Sequence, residues 1–264
     1  MNETEYKKVL AQLQNIRDNL TSDTTLAKEY IFEHVGQLES HLTTHSFTEA
    51  QQNEVIELFT QNIHRYQQHF TDYTAALEKE FTENTLETGA IDFHLLQKSI
   101  WYYKFADLVK QEIKLAGIDA TSKVLFIGSG PFPMSPILYQ KHAGCQVVGL
   151  EKEAAYADTS RKLIQALGLT DSITIKTGLG QEFINDSYTH VIAGLQALPK
   201  DVIFEQIHNQ MPSGTTVICR VKSGFGSIFY DGTIEERLYD KYFTVEQRVH
   251  DRHMVIVPVL LKTK

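Results

Sequence analysis

The chain has 264 residues, 42% of them hydrophobic and 22% charged, with a formal net charge of −8 at pH 7. These values exclude wholesale disorder, no apolar run approaches the ~18–20 residues that span a bilayer, and no Lys/Arg cluster offers a nucleic-acid footprint. The opening MNETEYKKVLAQLQ lacks the apolar core and cleavage site of a signal peptide, and two cysteines, Cys145 and Cys219, cannot build a disulfide framework, so a cytoplasmic protein handling small molecules is expected.

All six prolines lie at or after Pro131, and only Gly36, Gly89 and Gly117 interrupt the first 120 residues. A stretch so poor in helix breakers predicts helix after helix. Leu10, Leu13, Ile16 and Leu20 recur at helical spacing, as do Tyr30, Ile31, Val35, Leu38 and Leu42. Ser46 with Glu49 three residues on reads as a capping box. The helix it opens is expected to run through Val55, Ile56, Phe59, Ile63, Tyr66 and Phe70, as far as Phe81. Another is predicted from Asp92 to about Leu115, with Gly117 as its stop.

From Ser122 short β-rich runs alternate with helical ones. Strands are predicted at 124–127, 146–150, 173–176, 190–193, 215–221 and 254–261, and helices at 136–142, 154–167 and 202–210. Such alternation predicts a doubly wound, mostly parallel sheet with helices on both faces. The expected organisation is therefore α/β, a helical bundle over 1–118 packed on a Rossmann-like domain over 119–264.

The sharpest local feature is VLFIGSGPFPMS at 124–135, an apolar strand entering Gly128-Ser129-Gly130 just before a helix. Glycines there permit positive φ and close approach of a ligand. About twenty residues on, the second strand ends in Glu151, placed to accept hydrogen bonds from ribose hydroxyls. A dinucleotide fingerprint would need a third glycine where Pro133 stands, and prolines at 131, 133 and 136 remove N–H donors from any pyrophosphate cradle. S-adenosylmethionine, cationic and free of phosphate, fits better; a ligand-free tight turn is the plain alternative.

With these residues on view, the chain resembles the nicotianamine synthases and their bacterial opine-metallophore relatives. GSGPFPMS at 128–135 is similar to the family's GSGPLP-type loop, and LEKEF at 77–81 to its L-E-x-x-F stretch. YYKFADLVKQE at 102–112 resembles its tyrosine-rich helix ending in Leu-x-x-x-Glu. CRVKSGFGSIFY at 219–230 resembles R-x-x-x-G-x-x-x-x-x-Y, and VHDRHMVIVPVLLKTK its closing strands. The five segments are collinear. The resemblance implies a class I methyltransferase-type fold that moves the 3-amino-3-carboxypropyl arm of S-adenosylmethionine onto an amine and releases methylthioadenosine.

The same resemblance implies roles for residues. Glu78 is expected to hold the acceptor amine and take its proton, with Glu80 beside it as a decoy. Tyr102 and Tyr103 would orient the acceptor or line the sulfonium, unless they fill core beside Trp101. The co-substrate is expected against Gly128, Ser129, Gly130, Pro131, Glu151, Gly178, Leu179, Ala193 and Gly194, and the acceptor against Glu78, Phe105, Arg220 and Tyr230. Arg220 would pair with a ligand carboxylate or bridge to a helix carboxylate. Phe105 stands where the family has a second tyrosine, and Leu179 replaces an acidic position. The second departure bears on how adenine is held, by backbone at Gly178–Leu179; Phe105, with the chain's size, points to a single transfer onto a free amino acid, usually histidine. The reaction chamber is expected between the helical and sheet halves, a homodimer is compatible with such a fold, and no metal site is expected despite His250 and His253. A small-molecule methyltransferase and a non-catalytic S-adenosylmethionine-binding regulator are the competing readings.

Overall fold

Apolar side chains three and four apart bury one stripe of each early helix. Tyr6, Val9, Leu13, Ile16 and Leu20 form that stripe on α1 (Glu3–Thr21). His34, Val35, Leu38 and Leu42 form it on α2 (Lys28–Thr44), and Val55 and Phe59 on α3 (Glu49–Thr60). The structure, a computed structural model, describes residues 1–21, 27–89, 91–179, 182, 187–231, 236–251 and 254–264. No described helix is long and apolar enough to cross a membrane.

Caps set the helix boundaries, and three differ from expectation. The capping box at α3 joins Thr48 and Gln51, not Ser46 and Glu49: each side chain accepts the other's backbone N–H, at 3.3 and 3.0 Å. The long helix expected through residue 81 breaks where the Asn62 N–H turns back to the Phe59 carbonyl, and α4 (Ile63–Glu87) starts afresh. The helix expected over 92–115 is two, α5 (Phe93–Gln97) and α6 (Ile100–Ala116). Asp92 caps the first and Ser99 the second, and Gly117 at φ 68° closes α6.

The predicted strands are present with boundaries moved by at most two residues: β1 (Lys123–Ile127), β2 (Gln146–Glu151), β3 (Ile173–Thr177), β4 (His190–Ala193), β5 (Thr216–Lys222) and β7 (Ile256–Thr263). The predicted helices are α7 (Met134–Ala143), α8 (Ala154–Ala166) and α9 (Lys200–Gln210). Three elements were not foreseen: α10 (Gly226–Phe229), α11 (Glu236–Tyr242) and β6 (Phe243–Arg248). β6 is an edge strand, half of its residues exposed, and pairs antiparallel with β7, so it carries no apolar run to reveal it.

The seven strands lie in the order β3-β2-β1-β4-β5-β7-β6, with β1 parallel to both β2 and β4. This is the class I methyltransferase-type doubly wound sheet. Alternate residues feed its two faces: Val124 and Phe126 join one core with Ile192 and Ile218, while Leu125 and Ile127 join the other with Val191 and Val217. α6, α7 and α8 cover the first face, and α9 and α11 the second. Connections leave β1 in one direction and β4 in the other, so the crevice at their carboxyl ends is the topological switch point where such folds bind ligands.

The chain forms two compact units. One comprises Met1–Ala76, Lys222–Asp231 and Asp251–Val255. Inside it Phe70 packs on Phe229 and Tyr230, with ring centroids 4.4 and 5.3 Å apart. The other comprises Leu77–Val221, Gly232–His250 and Ile256–Lys264. The division therefore does not fall at 118: the end of α4, α5 and α6 belong with the sheet, where Trp101, Ala106 and Val109 fill its first face.

Candidate active site at the carboxyl ends of β1, β2 and β4

β1 ends in a turn built on positive φ, 88° at Gly128 and 69° at Gly130. The Gly128 and Ser129 N–H groups both donate to the Leu150 carbonyl, at 3.0 and 2.9 Å. Gly130 is held at both polar atoms: its N–H donates to Glu151 Oε2 at 2.9 Å, and its carbonyl accepts the Ser160 hydroxyl at 2.6 Å. Glu151 Oε1 accepts the Glu153 N–H at 2.9 Å. The acid expected to clamp a ribose thus first ties the turn to β2. Each of its oxygens retains a lone pair, and the residue is 7% exposed.

Glu78, in the second half of α4 and in the same unit as this turn, reaches it. Its Oε2 stands 3.0 Å from where a Cβ on Gly130 would be, so only glycine leaves the carboxyl this approach. The residue keeps partial solvent access, yet protein surrounds its carboxyl. Burial pushes its pKa up to about 8, with Lys104 of α6 pulling it down and Glu151 adding to the rise. Lys104 went unnoticed in the sequence because a lone helical lysine looks like any solvated one; only packing puts it beside a buried carboxyl.

The other expected residues divide. Ala193 and Gly194 are buried at the end of β4, and the Gly194 N–H donates to the Ile127 carbonyl at 3.0 Å. A Cβ on Gly194 would stand 2.7 Å from that carbonyl, so glycine is obligatory there. Ser129 is buried against Gly149 of β2, and Pro131 is buried in the loop. The Gly178 N–H donates to the Glu151 carbonyl, and the Leu179 N–H, expected as an adenine contact, is taken by Glu182 Oε2 at 3.0 Å. Tyr102 is half-buried, its hydroxyl accepting from Gln97 Nε2 at 3.4 Å. Tyr103 is 72% exposed, with its ring edge-on to that of Tyr102 at a centroid distance of 5.7 Å.

Arg220 adopts the second of its two expected arrangements. It is 3% exposed, and its Nε and Nη2 donate to the two oxygens of Glu112 on α6, each at 2.8 Å. Nη1 donates to the Ser135 hydroxyl at 3.0 Å, and the Tyr139 hydroxyl donates to Glu112 Oε2 at 2.6 Å. The guanidinium also lies over the rings of Phe126 and the half-buried Phe105, at 5.0 and 5.6 Å. The bridge to a helix carboxylate is the arrangement present. Tyr230 is buried in the helical unit against Phe70. Among the described residues no three His, Cys, Asp or Glu side chains gather as a metal cluster; His253 lies outside the described residues.

Comparison with known proteins assigns the family. The pattern described as nicotianamine synthase protein matches residues 2–264. The chain belongs to the nicotianamine synthase family. Curated relatives include an L-histidine 2-aminobutanoyltransferase of Yersinia pestis, 28% identical over 125 residues, and one of Pseudomonas aeruginosa, 27% identical over 123 residues. The first match covers 47% of this chain and 47% of that protein, so the chain spans about half the length of the curated relatives it matches. Among solved structures, a glutamate-to-glutamine mutant of MtNAS in complex with S-adenosylmethionine has a TM-score of 0.81 at 20% identity, over 96% of this chain and 97% of that one. MtNAS in complex with MTA and tNA has a TM-score of 0.79 at 18% identity over the whole of both chains. At these identities the structural likeness shows the fold. Within this family member, the tyrosine-rich helix and the R-x-x-x-G segment meet through Glu112 and Arg220, two motif residues that serve each other.

Proposed function

We propose that this nicotianamine synthase family member transfers the 3-amino-3-carboxypropyl group of S-adenosylmethionine to the amine of an amino acid, with histidine as first candidate. Its product would be an opine-type or nicotianamine-like metal chelator precursor, and methylthioadenosine the by-product. The observation that carries this reading is Glu78 Oε2 at the Gly130 turn, a buried carboxyl at the switch-point crevice. Family membership and the names of the curated relatives support it.

The crevice fits such a co-substrate. Pro131 and Pro133 deny donors to a pyrophosphate, whereas Glu78 and Glu151 favour a cation. Bound there, S-adenosylmethionine supplies a sulfonium whose aminobutanoate γ-carbon is open to displacement by an amine. Gly128 and Gly130 let the backbone come close to the nucleoside, and the spare lone pairs of Glu151 accept from ribose hydroxyls. Glu78 accepts a hydrogen bond from the acceptor amine and takes the proton released as the nitrogen–carbon bond forms. A carboxyl tuned to about 8 is matched to that proton near neutral pH, and a cation beside it favours the ionised form the task requires.

Incubation with S-adenosylmethionine and a panel of amino acids, read by mass, tests the proposal. The expected result is methylthioadenosine with a histidine adduct enlarged by one aminobutanoate. S-adenosylhomocysteine in its place would make the protein a methyltransferase, and binding without turnover on any amino acid would make it a binding protein.

A further inference from the structure

Lys200 opens α9 and is 6% exposed, deep for a lysine. Its Nζ donates to the carbonyl of Gly194 and to that of Ala197, the latter at 2.8 Å. Both acceptors lie in the loop 194–199 between β4 and α9. Among the described residues no carboxylate pairs with this ammonium; the groups that act on its charge are Cys219 and Arg220. A buried cation without a counter-charge is costly, and a methionine of similar length would fill the space without that penalty. The compensation lies in what the ammonium holds. The Gly194 N–H is bonded to the Ile127 carbonyl, the Ala197 N–H donates to the Gly194 carbonyl at 3.1 Å, and the Ala197 Cβ lies 3.6 Å from where a Cβ on Gly128 would stand. The loop that Lys200 fastens is therefore one wall of the switch-point crevice, pressed against the glycine turn that forms the other.

We propose that Lys200 is a positioning residue for co-substrate binding: by holding the Gly194 and Ala197 carbonyls it presets the loop after β4 against the glycine turn. The inference rests on reading the crevice as the S-adenosylmethionine site. A loop ordered in advance spends no binding energy on its own ordering; without the ammonium the nucleoside has to order it, and the loss falls on affinity while the chemical step is spared. Lys200 touches no reacting atom and acts through the main chain it holds.

Calorimetry with S-adenosylmethionine and methylthioadenosine, on the parent, Lys200→Met and Lys200→Gln, tests this alongside steady-state kinetics. Lys200→Met is expected to bind both nucleosides roughly 10–100-fold more weakly, the range for losing hydrogen bonds to a charged group. KM for S-adenosylmethionine should rise with it while kcat at saturation stays within about threefold, the signature of lost uniform binding. A residue that only supports the fold would lower Tm and leave the affinity of the folded fraction unchanged; parent-like affinity in either folded variant overturns the inference. Hydrogen exchange of residues 194–199 in the parent needs no variant. Slow exchange before any nucleoside is added is expected, and exchange that slows only on adding methylthioadenosine overturns the preset loop. A parent that binds neither nucleoside overturns the reading of the crevice and the inference with it, whereas a parent that binds both while the variants bind as well overturns the inference alone.

Discussion

At the scale of single residues, the charge state of Glu78 links stability to chemistry. Its folded pKa of about 8 lies above the ordinary 4.5, so the fold prefers the protonated carboxyl. That contribution is complete below about pH 4.5 and is lost as pH rises through about 8. Glu78→Gln is neutral throughout and escapes the loss. Its Tm should match the parent's near pH 4, exceed it at pH 7, and exceed it most above pH 8, in melts recorded across that range. The same variant should turn over roughly 10²–10⁴-fold more slowly at neutral pH with near-normal nucleoside affinity, the usual span for a missing general base. Greater stability with lost activity is the trade expected where a site is held in a strained charge state. Lys104 opposes the upward shift, so Lys104→Met should move the rising limb of kcat/KM to higher pH, each unit of displacement lowering activity on that limb by about tenfold. An unmoved limb in the pH profile would assign the titration to another group. The glutamate was legible in LEKEF through its resemblance. The lysine was not, because neighbours from another helix make its charge matter.

Among elements, the telling contact joins α6 to β5. Arg220 alternates onto the same sheet face as Ile218, which a helix must cover, so a cation there meets the helix directly. Glu112 meets it with both oxygens, Ser135 brings the start of α7 into the same network, and Tyr139 closes it. Removing one member leaves the other charge buried and alone. Glu112→Ala should destabilise the protein by roughly 3–5 kcal/mol in urea melts, whereas replacing both charged partners by apolar residues of similar volume should cost far less. Equal losses from the single and the double replacement would show that packing, and not charge, dominates there. The sequence offered Glu112 and Arg220 as two motif positions 108 residues apart. A bridge from Arg220 to a helix carboxylate was one of the two arrangements expected, but their separation hid that Glu112 is the partner.

For the whole molecule, the boundary between helical and sheet-rich grammar is not the boundary between compact units. Composition changes near residue 118, but burial groups Leu77 onward with the sheet and returns Lys222–Asp231 and Asp251–Val255 to the N-terminal helices. A fragment of residues 119–264 would lack the Trp101, Ala106 and Val109 cover of one sheet face and would leave Arg220 buried without Glu112. Such a fragment is expected to be insoluble or to melt without a cooperative transition by circular dichroism. A sharp transition close to the full chain's would show that the sheet needs no cover from α6.

By itself the sequence determined most of the element types, the parallel β1–β5 core, the glycine turn and the family, because periodicity, breakers and short motifs act over a few residues and survive as local patterns. Only the tertiary structure decided that Tyr103 faces water, that Arg220 is spent on Glu112, that the charge of Lys104 acts on Glu78, and that Lys200 grips the loop after β4. Each of those outcomes depends on which side chain lies within a few ångströms of which other once distant segments pack, and burial then sets what every charge is worth.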